Sequence, residues 1–201
     1  FCVTKEANPG KRRASVAKFF KEFPHQEEEG QVLAVSGLWN TAMAHPNDPE
    51  FIELGVFECM AAVIWKGIKN RRWLAKDQNI YIPYYAAHII GSYTMNIEEF
   101  AERSVRAGVI PPLVELLRGR LTWVEQRVAV RALGHLATYD STFPFIALQS
   151  EILELAIQLA TSSLEIVYTH FFQFVDKRLS YHCDLLTRGM GGVEMESRKA
   201  E

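Results

Sequence analysis

From Gln31 onward, apolar residues recur three and four positions apart, and no two-residue alternation persists. That period gathers apolar side chains on one stripe of a helix, so the chain is predicted to be all-α. The longest stripe is Val124, Val128, Ala132, Leu133 and Leu136, within WVEQRVAVRALGHLATY (123–139). Upstream, NIEEFAERSVRA (96–107) predicts a short helix that stops at Gly108, because glycine tolerates the left-handed backbone that closes a helix end. PPLVELLRG predicts a second helix ending at Gly119. Pro111 fits its first turn, where a missing N–H has no intrahelical partner to lose. Three helices thus follow each other round two corners, and none can bury its apolar face alone.

The same corner occurs earlier. Aligning Gly55 with Gly108 pairs ELGVFECMAAVI (53–64) with RAGVIPPLVELL (106–117), with apolar matches at Val56, Phe57, Met60, Val63 and Ile64. The third-helix pattern also recurs: AVSGLWNTA (34–42), AAHIIGSYT (86–94) and AVRALGHLA (129–137) superimpose without gaps, at intervals near the repeat length of helical solenoids. Between Ile64 and Tyr84 the connection is longer than its counterpart, and KGIKNRRWLAKDQNIYIP predicts an extended loop or an extra turn. Ahead of the repeats, a basic stretch gives way to PHQEEEG, which predicts an amphipathic helix over residues 11–23 and a turn. The expected division is a basic N-terminal helix with an acidic turn (1–30), a repeat domain (31–188) and a flexible exit (189–201). Within the repeat domain, residues 150–160 predict a second-type helix, and SLEIVYTHFFQFVDKRLSYHCDLLTR a long last helix closed by Gly189.

AGVIPPLVELL followed by VEQRVAVRALGHLA resembles an armadillo repeat, whose consensus runs G-x-I-P-x-L-V-x-L-L and later A-A-x-A-L-x-N-L-A. The match is close over residues 97–138 and looser over 31–95 and 139–186, and the wording of 105–190 resembles plant armadillo-type proteins. The resemblance implies a right-handed α-α superhelix of about four repeats that serves as a protein-interaction scaffold or adaptor. It also implies a concave groove lined by the third helices. There the consensus Asn pairs with the backbone of an extended peptide, and a residue four positions earlier, often Trp in nuclear-import receptors, packs between its side chains. In this chain the Asn place holds Asn40, Ser92 and His135, and the Trp place holds Ser36, His88 and Arg131. One Asn is kept and no Trp, which argues against a basic nuclear-localisation ligand.

Residues four apart share a helix side, so Arg127, Arg131 and His135 form one row, Tyr84, His88 and Ser92 the next, and Ser36 and Asn40 a third. Arginine presents a planar fork suited to carboxylate or phosphate, and these rows predict a groove that prefers an acidic or phosphorylated extended segment. The plainer possibility is that Arg127 and Arg131 pair with Glu125 or with neighbouring acidic groups. A second candidate surface lies in the insertion, where Lys66, Lys69, Arg71, Arg72 and Lys76 mix with Trp73, Tyr81, Tyr84 and Tyr85. Cations interleaved with aromatics can follow phosphates and stack bases, so single-stranded nucleic acid is the alternative ligand. Trp73 and the tyrosines could equally anchor a long loop onto the repeats.

Composition narrows the remaining classes. With 201 residues, 48% hydrophobic and a formal charge of −2, the chain suits one soluble domain without a global attraction to nucleic acid or acidic membrane. Cys2, Cys59 and Cys183 fall in no disulfide or zinc pattern, so a reducing compartment, cytoplasm or nucleus, is expected. His170, His182 and Cys183 lack a second ligand pair, and neither metal nor cofactor is expected. There is no apolar run long enough to span a membrane and no secretory segment, and because the chain opens on Phe1 rather than Met, a true start further upstream is expected. Ser15 follows two arginines in KRRAS, a spacing that basophilic kinases accept. Tyr168, Phe171, Phe172 and Phe174 are expected to seal the last repeat or to receive a partner helix. No nucleophile, phosphate-loop or metalloprotease motif occurs, so no catalytic residue is nominated and no enzyme is expected.

Overall fold

The computed structural model describes residues 8–27, 29–149 and 151–162, and all regular structure among them is helical. The first helix, α1 (Pro9–Glu22), starts where Asn8 Oδ1 accepts the Lys11 N–H at 3.1 Å. It buries Val16 and Phe20, packs against α4 and runs into a 3-10 turn at Phe23–His25. Helix α2 (Gln31–Ala44) follows. The short α3 (Glu50–Glu53) then turns at Gly55 into α4 (Val56–Lys69), and α7 (Glu98–Arg106) turns at Gly108 into α8 (Ile110–Leu117). Gly55 and Gly108 have φ of +99° and +78°, values that a side chain would strain, so the alignment of the two corners reflects one shared backbone geometry.

Helices α6 (Ile82–Thr94) and α9 (Trp123–Ala137) end these two units. With α2 they form a row in which α6 lies between α2 and α9, while α4 packs behind α6 and α8 behind α9. Helices α4 and α8 also touch, so each unit rests on the next in both layers. The recurring apolar positions meet in one core that includes Leu38, Ile64, Ile89, Ile90, Leu113, Leu133 and Leu136, and that also takes in Val16 and Phe20 of α1. A further unit begins with α10 (Phe143–Ala147) and α11 (Glu151–Ser162), the latter on the segment predicted as a second-type helix.

The long connection folds into extra turns. Helix α4 runs on to Lys69, and α5 (Arg71–Leu74) and a 3-10 turn (Asn79–Tyr81) fill the rest. Trp73 is its anchor, only 1% exposed. Its Nε1 donates to Gln31 Oε1 at 2.7 Å, and the Gln31 amide donates in turn to the carbonyls of Phe23 and Gln26. Asn70 and Asn79 bond the Trp73 backbone from either side. The predicted last helix, Gly189, the exit segment, Cys2, Cys183, His170, His182, Tyr168 and the phenylalanines at 171, 172 and 174 lie outside the described residues.

Candidate functional site

The row of α2, α6 and α9 places the eight groove candidates on adjacent helices, but their side chains fall into two sets. Ser92 and His135 are buried. The Ser92 hydroxyl donates to the His88 carbonyl at 2.8 Å and lies 3.2 Å from Met43 Sδ, while His135 Nδ1 lies 2.8 Å from the Gly91 carbonyl and so carries the proton. These two side chains tie α6 to α2 and to α9, forming the floor of the face rather than its contact groups. Asn40 is exposed, and Ser36, Tyr84, His88, Arg127 and Arg131 are half-buried.

Arg131 reaches from α9 across Gly91 of α6. A Cβ at Gly91 would stand 3.2 Å from Arg131 Nη1, and Arg131 Nη2 lies 3.7 Å from Met95 Sδ. Burial lowers the Arg131 pKa from its ordinary value, with Tyr84 opposing the shift, yet a guanidinium stays charged at any cellular pH. Among the described residues, no carboxylate lies within 4 Å of Arg131 or Arg127. Glu125, the partner that spacing alone could suggest, is instead turned to the Thr122 N–H at 3.0 Å in a capping box that opens α9. Arg127 lies with its guanidinium carbon 5.3 Å over the ring of Trp123, which is 57% exposed.

An aromatic cluster borders this charge. Tyr84 stands edge-on to Tyr85 and to His88, with centroids 5.4 and 5.3 Å apart, and Trp39 of α2 packs on Tyr85 at 5.3 Å and on His88 at 5.6 Å. Burial, and after it the Arg131 charge, push the His88 pKa below its ordinary value, so its ring is neutral at neutral pH. Trp39 Nε1 and His88 Nδ1 are shielded from solvent, and neither has a hydrogen-bond partner of good geometry among the described residues. Next to the cluster, a cleft of about 440 Å³ is lined by Ile80, Tyr81, Tyr84, Tyr85, Thr122, Val124 and Glu125. Sequence spacing did not single out Trp39, Tyr85 or Trp123 for this face. In the repeat alignment Trp39 stands opposite Gly91 and Gly134, and a large ring in a column of glycines was the available signal.

The basic insertion does not form one surface. Lys69 Nζ lies 4.6 Å over the Trp65 ring, Arg71 donates to the Arg120 carbonyl at 2.6 Å, and Lys76 is 3.5 Å from Glu27. Arg72 is exposed, and Trp73 is sealed in the core with Lys66 over its ring, out of reach of a stacked base. Among the described residues, no group of three His, Cys, Asp or Glu could hold a metal ion, and no helix is long and apolar enough to cross a membrane.

Helix triplets sharing one core, with the last helix of each turned to a common face, define the class: a helical-repeat solenoid. The plant armadillo (ARM) repeat model matches residues 1–201, and the chain belongs to that family. Such repeats generally serve as protein-interaction scaffolds rather than enzymes. No curated protein and no solved structure matches the chain.

Proposed function

We propose that the face of α2, α6 and α9 binds an extended acidic or phosphorylated segment of a partner protein, and that the chain works as a scaffold or adaptor in the cytoplasm or nucleus. The observation that carries this reading is Arg131, a half-buried guanidinium with no carboxylate within 4 Å among the described residues. A partly desolvated cation without a carboxylate partner among the described residues gains from an incoming anion whose bonds it can form in pairs. Arg127 is already aligned over Trp123, one helical turn away, so a second charge contact costs little ordering. The cleft beside Tyr84 and Tyr85 gives the same segment a place for an apolar side chain.

The test is fluorescence anisotropy with labelled extended peptides of acidic, phosphorylated, neutral and basic composition, on wild type and Arg131→Glu. The acidic and phosphorylated probes are expected to bind best, to weaken with salt, and to lose roughly tenfold or more with Arg131→Glu, the worth of a charge-assisted hydrogen bond. Equal binding of all four probes, or an unchanged affinity of the variant for the anionic ones, would remove the assignment.

A further inference from the structure

The first helix carries a sequence that the peptide-facing surface does not use. Arg12, Arg13, Ala14, Ser15 and Val16 set two guanidinium groups three and two residues before an exposed hydroxyl, with an apolar residue after it. We propose that Ser15 is a phosphorylation site for a basophilic serine/threonine kinase, and that phosphate there loosens the hold of α1 on α3.

Two features of the fold support this. From Pro9 to Ser15 no residue of α1 is buried, and the first that is, Val16, lies beyond the hydroxyl. This stretch is held to the body by ion pairs: Arg12 Nη2 lies 2.8 and 2.9 Å from the Glu50 carboxylate, and Arg13 Nη2 lies 2.8 Å from Glu53. Both arginine side chains are more than 40% exposed, as is Glu53, while Glu50 is 19% exposed; solvent reaches the cationic side of each pair, so the pairs are modest and the start of α1 can open while Phe20 stays docked. An opened segment presents Arg12 and Arg13 to the acidic groups of a kinase, which replace Glu50 and Glu53.

In the transfer, Ser15 Oγ attacks the γ-phosphorus of magnesium-bound ATP. The bond from that phosphorus to the bridging oxygen breaks, ADP leaves with the electron pair, and the hydroxyl proton passes to the kinase's base. The product adds close to two negative charges on a helix side shared with Lys11, Arg12 and Lys18. Arg12 is then drawn toward its own helix and away from Glu50. The contact that weakens is the one that fastened the start of α1.

The experiment incubates the 201-residue chain, Ser15→Ala and the double variant Glu50→Gln/Glu53→Gln with the purified catalytic subunit of a cyclic-AMP-dependent kinase and Mg-ATP, with sites mapped by mass spectrometry. Wild type is expected to take phosphate on Ser15 and Ser15→Ala to lose that label. The double variant should react at least about two- to fivefold faster, the change that surface ion pairs supply, with the partly covered Glu50 adding to it. Hydrogen exchange in residues 9–15 should quicken after phosphorylation. Failure to label wild type at Ser15 would overturn the site, and unchanged exchange or an unchanged rate in the double variant would overturn the coupling to α3.

Discussion

At the scale of single residues, His88 shows how position in a repeat differs from role. Spacing put it on the same helix side as Tyr84 and Ser92, and the structure keeps it there, but wedged among Trp39, Tyr84 and Arg131 rather than open to water. Its folded pKa lies below the unfolded value of about 6.5, so near that pH the unfolded chain binds more protons than the folded one. The sign follows: the His88 contribution to stability is full above about pH 6.5 and is lost as pH falls from there through the folded pKa. His88→Phe keeps an aromatic ring and removes the titration. Thermal melts between roughly pH 5 and 8 should show wild type losing stability relative to the variant on the acid side, and a constant difference would contradict the assignment. Arg127 and Arg131 were legible because charge and a four-residue step are written in the chain. The burial of Ser92 and His135 was not, because Met43 and Gly91 of other helices decide it.

At the scale of elements, the corners were the most readable part of the molecule. Gly55 and Gly108 adopt the left-handed backbone expected of them, and Pro111 lies in the first turn of α8. Thr122 and Glu125, in T-x-x-E spacing, form the capping box of α9, and Glu125 is thereby withdrawn from the arginines. Thr122→Ala removes the cap and leaves a buried carboxylate with fewer donors. It should cost about 1–2 kcal/mol in urea unfolding, and a loss indistinguishable from zero would show that the cap is replaced by water. The insertion was visible as surplus length, but its fold was not. Trp73 is fixed by Gln31, 42 residues earlier, and a pairing at that separation leaves no periodic trace.

At the scale of the whole molecule, the row of third helices depends on how closely α4 approaches α6. A Cβ at Gly67 would meet the Pro83 ring at 2.6 Å, a rigid neighbour that cannot swing aside, whereas one at Gly91 would meet the mobile end of Arg131 at 3.2 Å. Alanine favours a helix interior over glycine by about 1 kcal/mol, a gain that a mild contact at Gly91 offsets and that the clash at Gly67 exceeds. Gly67→Ala is expected to destabilise by about 1–2 kcal/mol through overpacking, and Gly91→Ala to be near neutral, both read from denaturant midpoints. A loss at Gly67 no larger than at Gly91 would mean that α4 and α6 have room to spare. The helical class, the two glycine corners, the three matching last helices and the family are all legible in the residues, because each is a local rule repeated along the chain. Packing between helices settles which members of a helix row face out, that Trp73 is core, and that Arg131 lies over Gly91 with no carboxylate within 4 Å among the described residues. Burial and pairing belong to contacts between helices far apart in the chain, where the period of any one helix carries no information.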